Sequence, residues 1–425
     1  AESLERILQG KPLTTLTQET IAKLKAEAVL DSTIFPETSF VEPITEPACI
    51  FLTGATGFLG AFLLYELLQQ TQADIYCLVR SPNVEEGKKK LQTSLESYLL
   101  WNESFNSRII PVIGDLSESL LGLSEEQFQE IAGKIDVIYH NGAWVHHIYP
   151  YSVLKAANVL GTQEVLRLAC KIKTKPVHFI STTSVFSASG FSGVKEVREE
   201  DSIDNFQLPG NGYVQTKWVG EKLVEAAKHR GLPICIYRLG RVSGHSETGV
   251  FNTNDFLYRL IIGCIQLGSA PDRDIMEDIM PVDYTSRAIA YLSRQQASLG
   301  KAFHLVNPHL LHSKILLNVI HSFGYPLQQI SYDQWRAKLM NIASSSPEHP
   351  LYPLVPFFSA RKSQEKTSNS AVLQFDCHNT LNGLAGTSIV CPAIDEQLLS
   401  TYVSYLMKSG FLTPPQLAIE VKPSS

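Results

Sequence analysis

Thr53-Gly-Ala-Thr-Gly-Phe-Leu-Gly60 joins an apolar run, Cys49-Ile-Phe-Leu-Thr53, to an amphipathic stretch from Leu59 to Gln70. A short apolar run, a glycine-dense turn and a helical pattern in succession read as strand, loop and helix. In that context G-x-x-G-x-x-G has a physical meaning. Gly54 permits the tight turn, Gly57 lets the backbone approach a pyrophosphate, Gly60 lets the helix pack close to the strand, and the helix N-terminal amides face the anion. Thr53, Thr56, Phe58 and Leu59 fall in the same loop and count with the glycines as candidate cofactor contacts. The region from Pro47 to Tyr65 carries no charge and approaches the length of a membrane span. Glycines every third residue would be wasteful in a span, so no membrane segment is expected there.

Outward from this loop the same alternation repeats. Ile75-Tyr-Cys-Leu-Val79, Ile109-Ile-Pro-Val-Ile113, Val137-Ile-Tyr139, Val177-His-Phe-Ile180 and Ile234-Cys-Ile-Tyr237 are short apolar runs separated by helical segments. Strand and helix in alternation imply an α/β fold, a Rossmann-type doubly wound parallel sheet covered on both faces. After about Val306 the alternation stops, and a smaller, mostly helical C-terminal domain is expected around the Ser/Pro-rich connector Ala343-Ser-Ser-Ser-Pro347 with Pro350, Pro353 and Pro356. The expected organisation is a helical lead-in over 1–46 (helix from Thr17 to Val29), a nucleotide-binding domain over 47–305 with residues 245–275 contributing to the substrate region, and a substrate domain over 306–425. Residues 361–370 are polar enough for a mobile loop.

At 425 residues the chain suits two or three domains of about 150 residues. Its 36 basic and 42 acidic residues leave a net charge of −6, which argues against nucleic-acid binding, and 44% hydrophobic residues exclude a disordered chain. The seven cysteines are scattered, with no C-x-x-C, so neither a disulfide framework nor a zinc module is expected, and a reducing cytoplasm is the natural setting. The acidic N-terminus lacks an apolar signal segment and an initiator Met, which suits a piece of a longer chain.

The second strand ends in Leu78-Val79-Arg80-Ser81, so the residue 26 positions after Gly54 is basic, where an NAD enzyme would place an acid on the ribose hydroxyls. Asp74 sits at the other end of that strand. Arg80 favours a 2′-phosphate and hence NADP(H), with Lys90 as a second partner if the Lys88-Lys89-Lys90 run is more than a solvated helix face. Asp115, in Gly114-Asp115-Leu116, is placed either on the adenine amino group or in an ordinary Asp turn. His140-Asn141-Gly142-Ala143 supplies small residues where the backbone passes the cofactor.

Tyr151-Ser-Val-Leu-Lys155 and Tyr213-Val-Gln-Thr-Lys217 both match Y-x-x-x-K. Strand order separates them: the hydroxyl donor of such a sheet ends the fifth strand, here Val177-His-Phe-Ile-Ser-Thr-Thr-Ser-Val185, and only Tyr213/Lys217 follows it. Four-residue spacing puts Tyr213 and Lys217 on one helix face. Lys217 is expected to bind the nicotinamide ribose and to lower the Tyr213 pKa, improving the phenol as a proton relay. Ser181, Thr182, Thr183 and Ser184 all qualify as the hydroxyl donor; aligning Val185-Phe186 with the usual Val-Tyr selects Thr182, with Ser181 and Thr183 as neighbours.

With these residues in place the sequence resembles the extended short-chain dehydrogenase/reductase superfamily, and within it the thioester reductase domains that end nonribosomal peptide synthetase and polyketide synthase assembly lines. The resemblance runs from about Pro47 to Pro415 and is carried by the glycine loop, Cys77-Leu-Val-Arg80, Gly114-Asp-Leu116, His140-Asn-Gly-Ala143, Asn158-Val-Leu-Gly-Thr162, Gly212-Tyr-Val-Gln-Thr-Lys-Trp-Val-Gly-Glu221, Tyr237-Arg-Leu-Gly-Arg241, Asn254-Asp-Phe-Leu257, Met280-Pro-Val-Asp-Tyr284, Phe375-Asp-Cys-His-Asn379 and Phe411-Leu-Thr-Pro-Pro415. Leu239 replaces the more usual Pro of Arg-Pro-Gly. The resemblance implies NADPH as cofactor, with Leu116, Asn158, Leu239, Gly240 and Val242 added to the binding residues, and Thr182, Tyr213 and Lys217 as the catalytic set. It further implies an acyl or peptidyl thioester on the phosphopantetheine arm of a carrier protein, released as an aldehyde or, after a second hydride, an alcohol. The C-terminal helices with Asn254 to Ile265 would line the acyl channel, and the domain would be a monomer.

A carboxylic acid or fatty acyl reductase, a non-redox cyclising variant and a cofactor-binding module share parts of this pattern; the intact Tyr213 disfavours the last two. His146-His147 lacks a third ligand at metal spacing, so no metal site is expected. Cys377-His378 is no nucleophile pair by adjacency alone. Arg241 suits a substrate or cofactor contact as well as a structural ion pair.

Overall fold

The computed structural model describes residues 18–40, 46–146, 148–186, 196–206, 208, 210–272, 276–355, 358 and 373–415. In chain order the main elements are α1 (Gln18–Glu27), β1 (Cys49–Thr53), α2 (Phe58–Gln70), β2 (Asp74–Val79), α3 (Val84–Ser97), β3 (Ile109–Ile113), α4 (Glu125–Lys134), β4 (Val137–His140) and α5 (Tyr151–Lys155). A π-turn over Ala156–Leu160 leads into α6 (Gly161–Cys170), followed by β5 (Val177–Thr182), α7 (Gly212–His229), β6 (Ile234–Leu239) and α8 (Phe256–Leu267). Then come α9 (Val282–Leu292), β7 (Ala302–Leu305), α10 (Ser313–Ser322), α11 (Tyr332–Ser345), α12 (His378–Leu384) and α13 (Glu396–Lys408).

The seven strands form one parallel sheet in the order β7-β6-β5-β4-β1-β2-β3, flanked by helices as the alternation requires. Strands covered on both faces must be apolar throughout, and β4 and β6 are buried at every position. Each fully buried Phe, Leu or Ile of this layer, such as Phe51, Leu52 and Phe179, contributes about 1.5–3 kcal/mol through lost apolar exposure. The order reverses beside β1, which puts the carboxyl ends of β1 and β4 at the crevice where such sheets bind ligands. Leu239 continues β6 in register with Thr182 on one side and Leu305 on the other, so the chain runs through this site without a proline.

The described residues fall into two units. The first is drawn from 18–242, 282–306 and 373–390, the second from 243–281, 307–358 and 391–415. A linear cut at residue 305 assigns 243–281 and 373–390 differently. Within the first unit the returning segment is held by one carboxylate: Glu199 Oε1 accepts from His304 N (2.7 Å), Thr380 N (3.2 Å) and Thr380 Oγ1 (2.9 Å), and Glu199 Oε2 accepts from Asn379 N. It thereby caps α12 against β7. The second unit packs α8, α10, α11 and α13 around Trp335, Tyr402, Leu351 and Phe251.

All seven cysteines are free thiols. No helix among the described residues is long and apolar enough to cross a membrane, and Pro47 to Tyr65 resolves into β1, the glycine loop and the first half of α2. The 361–370 segment lies outside the described residues.

Candidate active site

Two of the three glycines are demanded by the chain's own packing. Gly54 has φ +74°, and a Cβ on it would lie 2.7 Å from Gly142 Cα; one on Gly60 would lie 1.9 Å from the Gly54 carbonyl oxygen. Gly57 differs: its nearest neighbour would be 3.4 Å away, and it is exposed. Internal packing does not require a glycine there, whereas a group approaching from outside would. Gly57 is also the N-cap of α2, with no side-chain cap and no acid in the first turn, so the helix presents its N-terminal amides uncancelled. This cradle fits a pyrophosphate.

The crevice wall comes from β4 and the turn after β3. Gly142 N donates to Thr53 Oγ1 (2.8 Å) and Asn141 Nδ2 to the Gly54 carbonyl (3.3 Å), tying the two loops together. A Cβ on Gly142 would lie 2.5 Å from a Leu116 methyl, and Ala143 continues the small-residue path. The Phe58 ring packs edge-on against Phe62 and Tyr98, which leaves its backbone as its contribution to the loop. The Thr56 carbonyl accepts from Ser94 Oγ (3.2 Å), and Leu59 follows in the first turn of α2.

Arg80 is exposed directly after β2, and Lys90 Nζ donates to its carbonyl (3.1 Å), so two cations share this strand end. Asp74 opens β2 at the far end. Asp115 Oδ1 accepts from Ser117 N (2.9 Å) and Ser117 Oγ (2.8 Å), which makes the Asp turn the observed arrangement.

The hydroxyls ending β5 are not equivalent. Ser181 is buried and donates to Glu221 Oε2 (2.5 Å), and Thr183 Oγ1 donates to the Leu239 carbonyl (3.3 Å). Thr182 is half-buried and its Oγ1 accepts from Ser184 N (3.2 Å), leaving its proton for another acceptor. Gly240 N donates to the Leu305 carbonyl (2.8 Å), and Val242 lies in the short strand Arg241–Ser243.

Asn211 starts α7 by accepting from Tyr213 N (2.9 Å) and Val214 N (3.3 Å), and Gly212 allows the helix to begin against Tyr149, whose carbonyl oxygen would be 2.4 Å from a Cβ there. Burial pushes the Tyr213 phenol up to about 12. Lys217 donates to the Ile180 carbonyl (2.6 Å), lies 4.1 Å above the Phe179 ring, and is pulled down to about 8 by burial, against which Glu221 acts. The expected lowering of the Tyr213 pKa by Lys217 is therefore not what is found. Desolvation decides the phenol, which stays protonated at neutral pH.

Behind the helix, Glu221 pairs with Arg238 at 2.8 Å, both buried, and Arg238 also donates to the Glu199 carbonyl (3.0 Å). Nothing local in the sequence marks Glu221, beyond its position four residues after Lys217, as the group that removes Ser181 from candidacy. Asn158 is also placed differently from its expectation as a cofactor contact. Its Oδ1 accepts from Trp144 N (2.7 Å), and its Nδ2 donates to the Trp144 carbonyl (3.1 Å) and to Thr216 Oγ1 (2.9 Å), so it clamps the loop after β4 to α7. Tyr151 and Lys155 both engage Glu27 of α1 and stand apart from this set.

No cluster of metal-ligating residues occurs among the described residues. His146 stacks on Tyr149 with centroids 3.6 Å apart, and His147 lies outside the described residues. Cys377 Sγ faces the Phe375 carbonyl while His378 Nε2 meets Asn382, so the adjacent pair does not act together.

Residues 52–289 match the family described as Male sterility protein, an NAD-binding domain. The chain is 42% identical to a linear gramicidin synthase polypeptide of Brevibacillus parabrevis over 98% of its own length and 8% of that protein, and 34% identical to the non-canonical nonribosomal peptide synthetase FrzA of Cladobotryum sp over 92% of its length and 40% of that protein. It thus spans a minor part of the curated relatives it matches. Among solved structures it superposes with a TM-score of 0.84 and 44% identity on the terminal R domain from the myxalamid PKS-NRPS biosynthetic pathway, covering 93% of this chain and 99% of that one. With the glycine cradle and the Tyr213/Lys217 helix behind it, the chain belongs to this NAD-binding family and, within it, to the terminal reductase domains of nonribosomal peptide and polyketide assembly lines.

Proposed function

We propose that this domain uses NADPH to release an acyl or peptidyl thioester from a carrier protein as an aldehyde, with Thr182, Tyr213 and Lys217 as the catalytic residues. The observation that carries the chemistry is the geometry of the donors: Tyr213 opens α7 one turn before Lys217, which is buried on the Ile180 carbonyl of β5, and Thr182 ends that strand with its hydroxyl proton left for another acceptor. Reduction of a carbonyl leaves charge on oxygen, and a phenol, protonated at neutral pH, is able to neutralise it. NADPH, when bound, supplies the hydride. The Thr182 and Tyr213 hydroxyls bind the thioester oxygen and stabilise the developing negative charge, and Tyr213 donates its proton. The resulting hemithioacetal breaks its C–S bond, giving the aldehyde and the carrier thiol. Lys217 carries positive charge next to the end of β5 and is the residue that would hold the cofactor ribose.

The 2′-phosphate is assigned to Arg80 with Lys90, because both cations stand at the strand end where an acid would otherwise hold a ribose hydroxyl. An apolar acyl portion is supported by a small apolar pocket within the second unit, lined by Leu257, Leu260, Ile261, Leu311, Leu316 and Ile320. A carrier protein as partner, a monomeric state and a reducing cytoplasm belong to the same reading; the relatives' assembly-line setting supports the partner, and the free thiols suit a reducing compartment.

The test is cofactor oxidation, followed by absorbance, with an acyl-pantetheine thioester and mass spectrometry of the product. NADPH consumption matched by aldehyde and free thiol is expected; thiol release without NADPH consumption would overturn the redox reading. Arg80→Ser is expected to cut the preference for NADPH over NADH by about 10- to 100-fold, the worth of one or two charge-assisted hydrogen bonds.

A further inference from the structure

His140 ends β4, is 2% exposed, and has no part in the chemistry assigned above. Its surroundings nevertheless fix its protonation completely. Thr216 Oγ1 donates its one proton to the Tyr213 carbonyl (2.7 Å), so it accepts from Asn158 Nδ2 (2.9 Å). Thr162 Oγ1 donates to the Asn158 carbonyl (2.8 Å), so it accepts from His140 Nε2 (3.0 Å). The imidazole therefore carries its proton on Nε2, and the bare Nδ1 accepts from Thr53 Oγ1 (2.9 Å). Thr53 in turn accepts from Gly142 N (2.8 Å). A hydroxyl has one proton to give, and only the neutral Nε2–H tautomer lets every member of this chain both give and receive. Burial together with the Lys217 charge pulls the His140 pKa down to about 3, in keeping with a ring that stays neutral.

We propose that His140 is a positioning residue for the reductase site: through Thr53 on one side and Thr162 on the other it locks the glycine loop and the Gly142 backbone to Asn158, and through Asn158 and Thr216 to the first turn of α7, where Tyr213 sits. The proposal deepens the reading of Tyr213 and the glycine loop as one site and rests on it. The ring touches no reacting atom. Because the chain is buried, deleting one hydroxyl leaves a donor or acceptor unpaired, and the misfit passes to the next member. The sequence positions involved span residues 53 to 216, so the cofactor cradle and the proton donor are set relative to each other by hydrogen-bond length.

The experiment combines nitrogen NMR of a histidine-labelled chain, NADPH titration by fluorescence, and turnover of Thr53→Val, Thr162→Val, the double variant, His140→Gln and His140→Leu. At pH 6 the resonance lost in His140→Gln is expected to be that of a neutral Nε2–H ring. Each Thr→Val change is expected to weaken NADPH binding several-fold and to lower kcat roughly tenfold, and the double variant to lose about as much as either single one, since both break the same chain. Gln keeps one donor and one acceptor, so His140→Gln is expected to recover most of the kcat that His140→Leu loses. A protonated or Nδ1–H ring, multiplied losses of about 100-fold in the double variant, or a folded His140→Leu with unchanged NADPH affinity would each overturn the proposal. If no thioester is turned over at all, the function proposed above fails, and the NMR and NADPH measurements still decide this one.

Discussion

Two helices that pack side by side, α5 and α7, each carry a tyrosine and a lysine four residues apart, and in the fold their neighbours distinguish the pairs. On α5, Tyr151 donates to the Glu27 carboxylate and Lys155 Nζ lies 3.1 Å from the same group. Burial and the adjacent Glu27 push the Tyr151 phenol far above its ordinary range, but its proton is already directed at that carboxylate. On α7, Lys217 is buried against β5, on the Ile180 carbonyl and the Phe179 ring, and Tyr213 stands one turn before it at the helix start. Spacing puts two side chains on one face, and what that face meets decides their chemistry. The first pair is a clasp that fixes α1, and the second is the pair proposed above as a proton donor with its cation.

The largest test of that contrast is Tyr213→Phe against Tyr151→Phe. Removing the proton donor is expected to lower the rate of thioester-dependent NADPH oxidation by about 10²- to 10⁴-fold. Removing the Tyr151 hydroxyl is expected to leave kcat within about twofold and to cost about 1.5–3 kcal/mol in urea unfolding, the loss of one hydrogen bond to a charged group. Comparable kcat losses in the two variants would erase the distinction.

The lysines separate on pH. Lys217 is pulled from an ordinary 10.5 to about 8 by burial, so in the free enzyme its charge is lost as pH rises through 8. The profile of kcat/KM is expected to fall above pH 8, roughly tenfold per unit where the charge is required, and Lys217→Met to remove that limb along with most of the activity. Stability moves the other way. A lysine with a depressed folded pKa binds fewer protons folded than unfolded between pH 8 and 10.5, so the cost of burying it is full below pH 8 and is relieved as pH rises across that window. Lys155, with 34% of its side chain exposed, is expected to leave the activity profile unchanged when replaced by Met.

How much of this was legible follows from the range over which each feature is determined. The glycine loop could be read because Gly60 answers a backbone contact six residues away and Gly54 answers its own positive φ, and strand order picked Tyr213 over Tyr151 because topology orders elements along the chain. Thr182 could be selected among four hydroxyls only by alignment; its geometric distinction needs Glu221, 40 residues on, to occupy Ser181. The partners of Asn158, the chain through His140 and the grip of Glu199 on residues 379 and 380 arise from segments brought together by the sheet, and no local pattern announces them. The expected lowering of the Tyr213 pKa failed for a related reason: spacing reports that Lys217 is near, but desolvation depends on everything else packed around the phenol.

The smallest effect is the sharpest check on the clasp. In Glu27, burial raises the carboxyl pKa, but the hydrogen bonds from Tyr151 and Lys155 outweigh it and the net shift is downward. A depressed carboxylate contributes stability above its unfolded value of 4.5, and that contribution is lost as pH falls through the lower folded value. Glu27→Gln keeps the shape and an acceptor for Tyr151 while removing the charge, and with Lys155 partly solvated the expected cost is about 0.5 kcal/mol at pH 7. The difference between wild type and variant in urea unfolding is expected to shrink toward zero as pH falls below 4.5 and through the lower folded value, with kcat at pH 7 unaltered. A kcat loss in Glu27→Gln would mean that the α5 pair acts on the chemistry through its packing against α7, and the two matching motifs would then be one device rather than two.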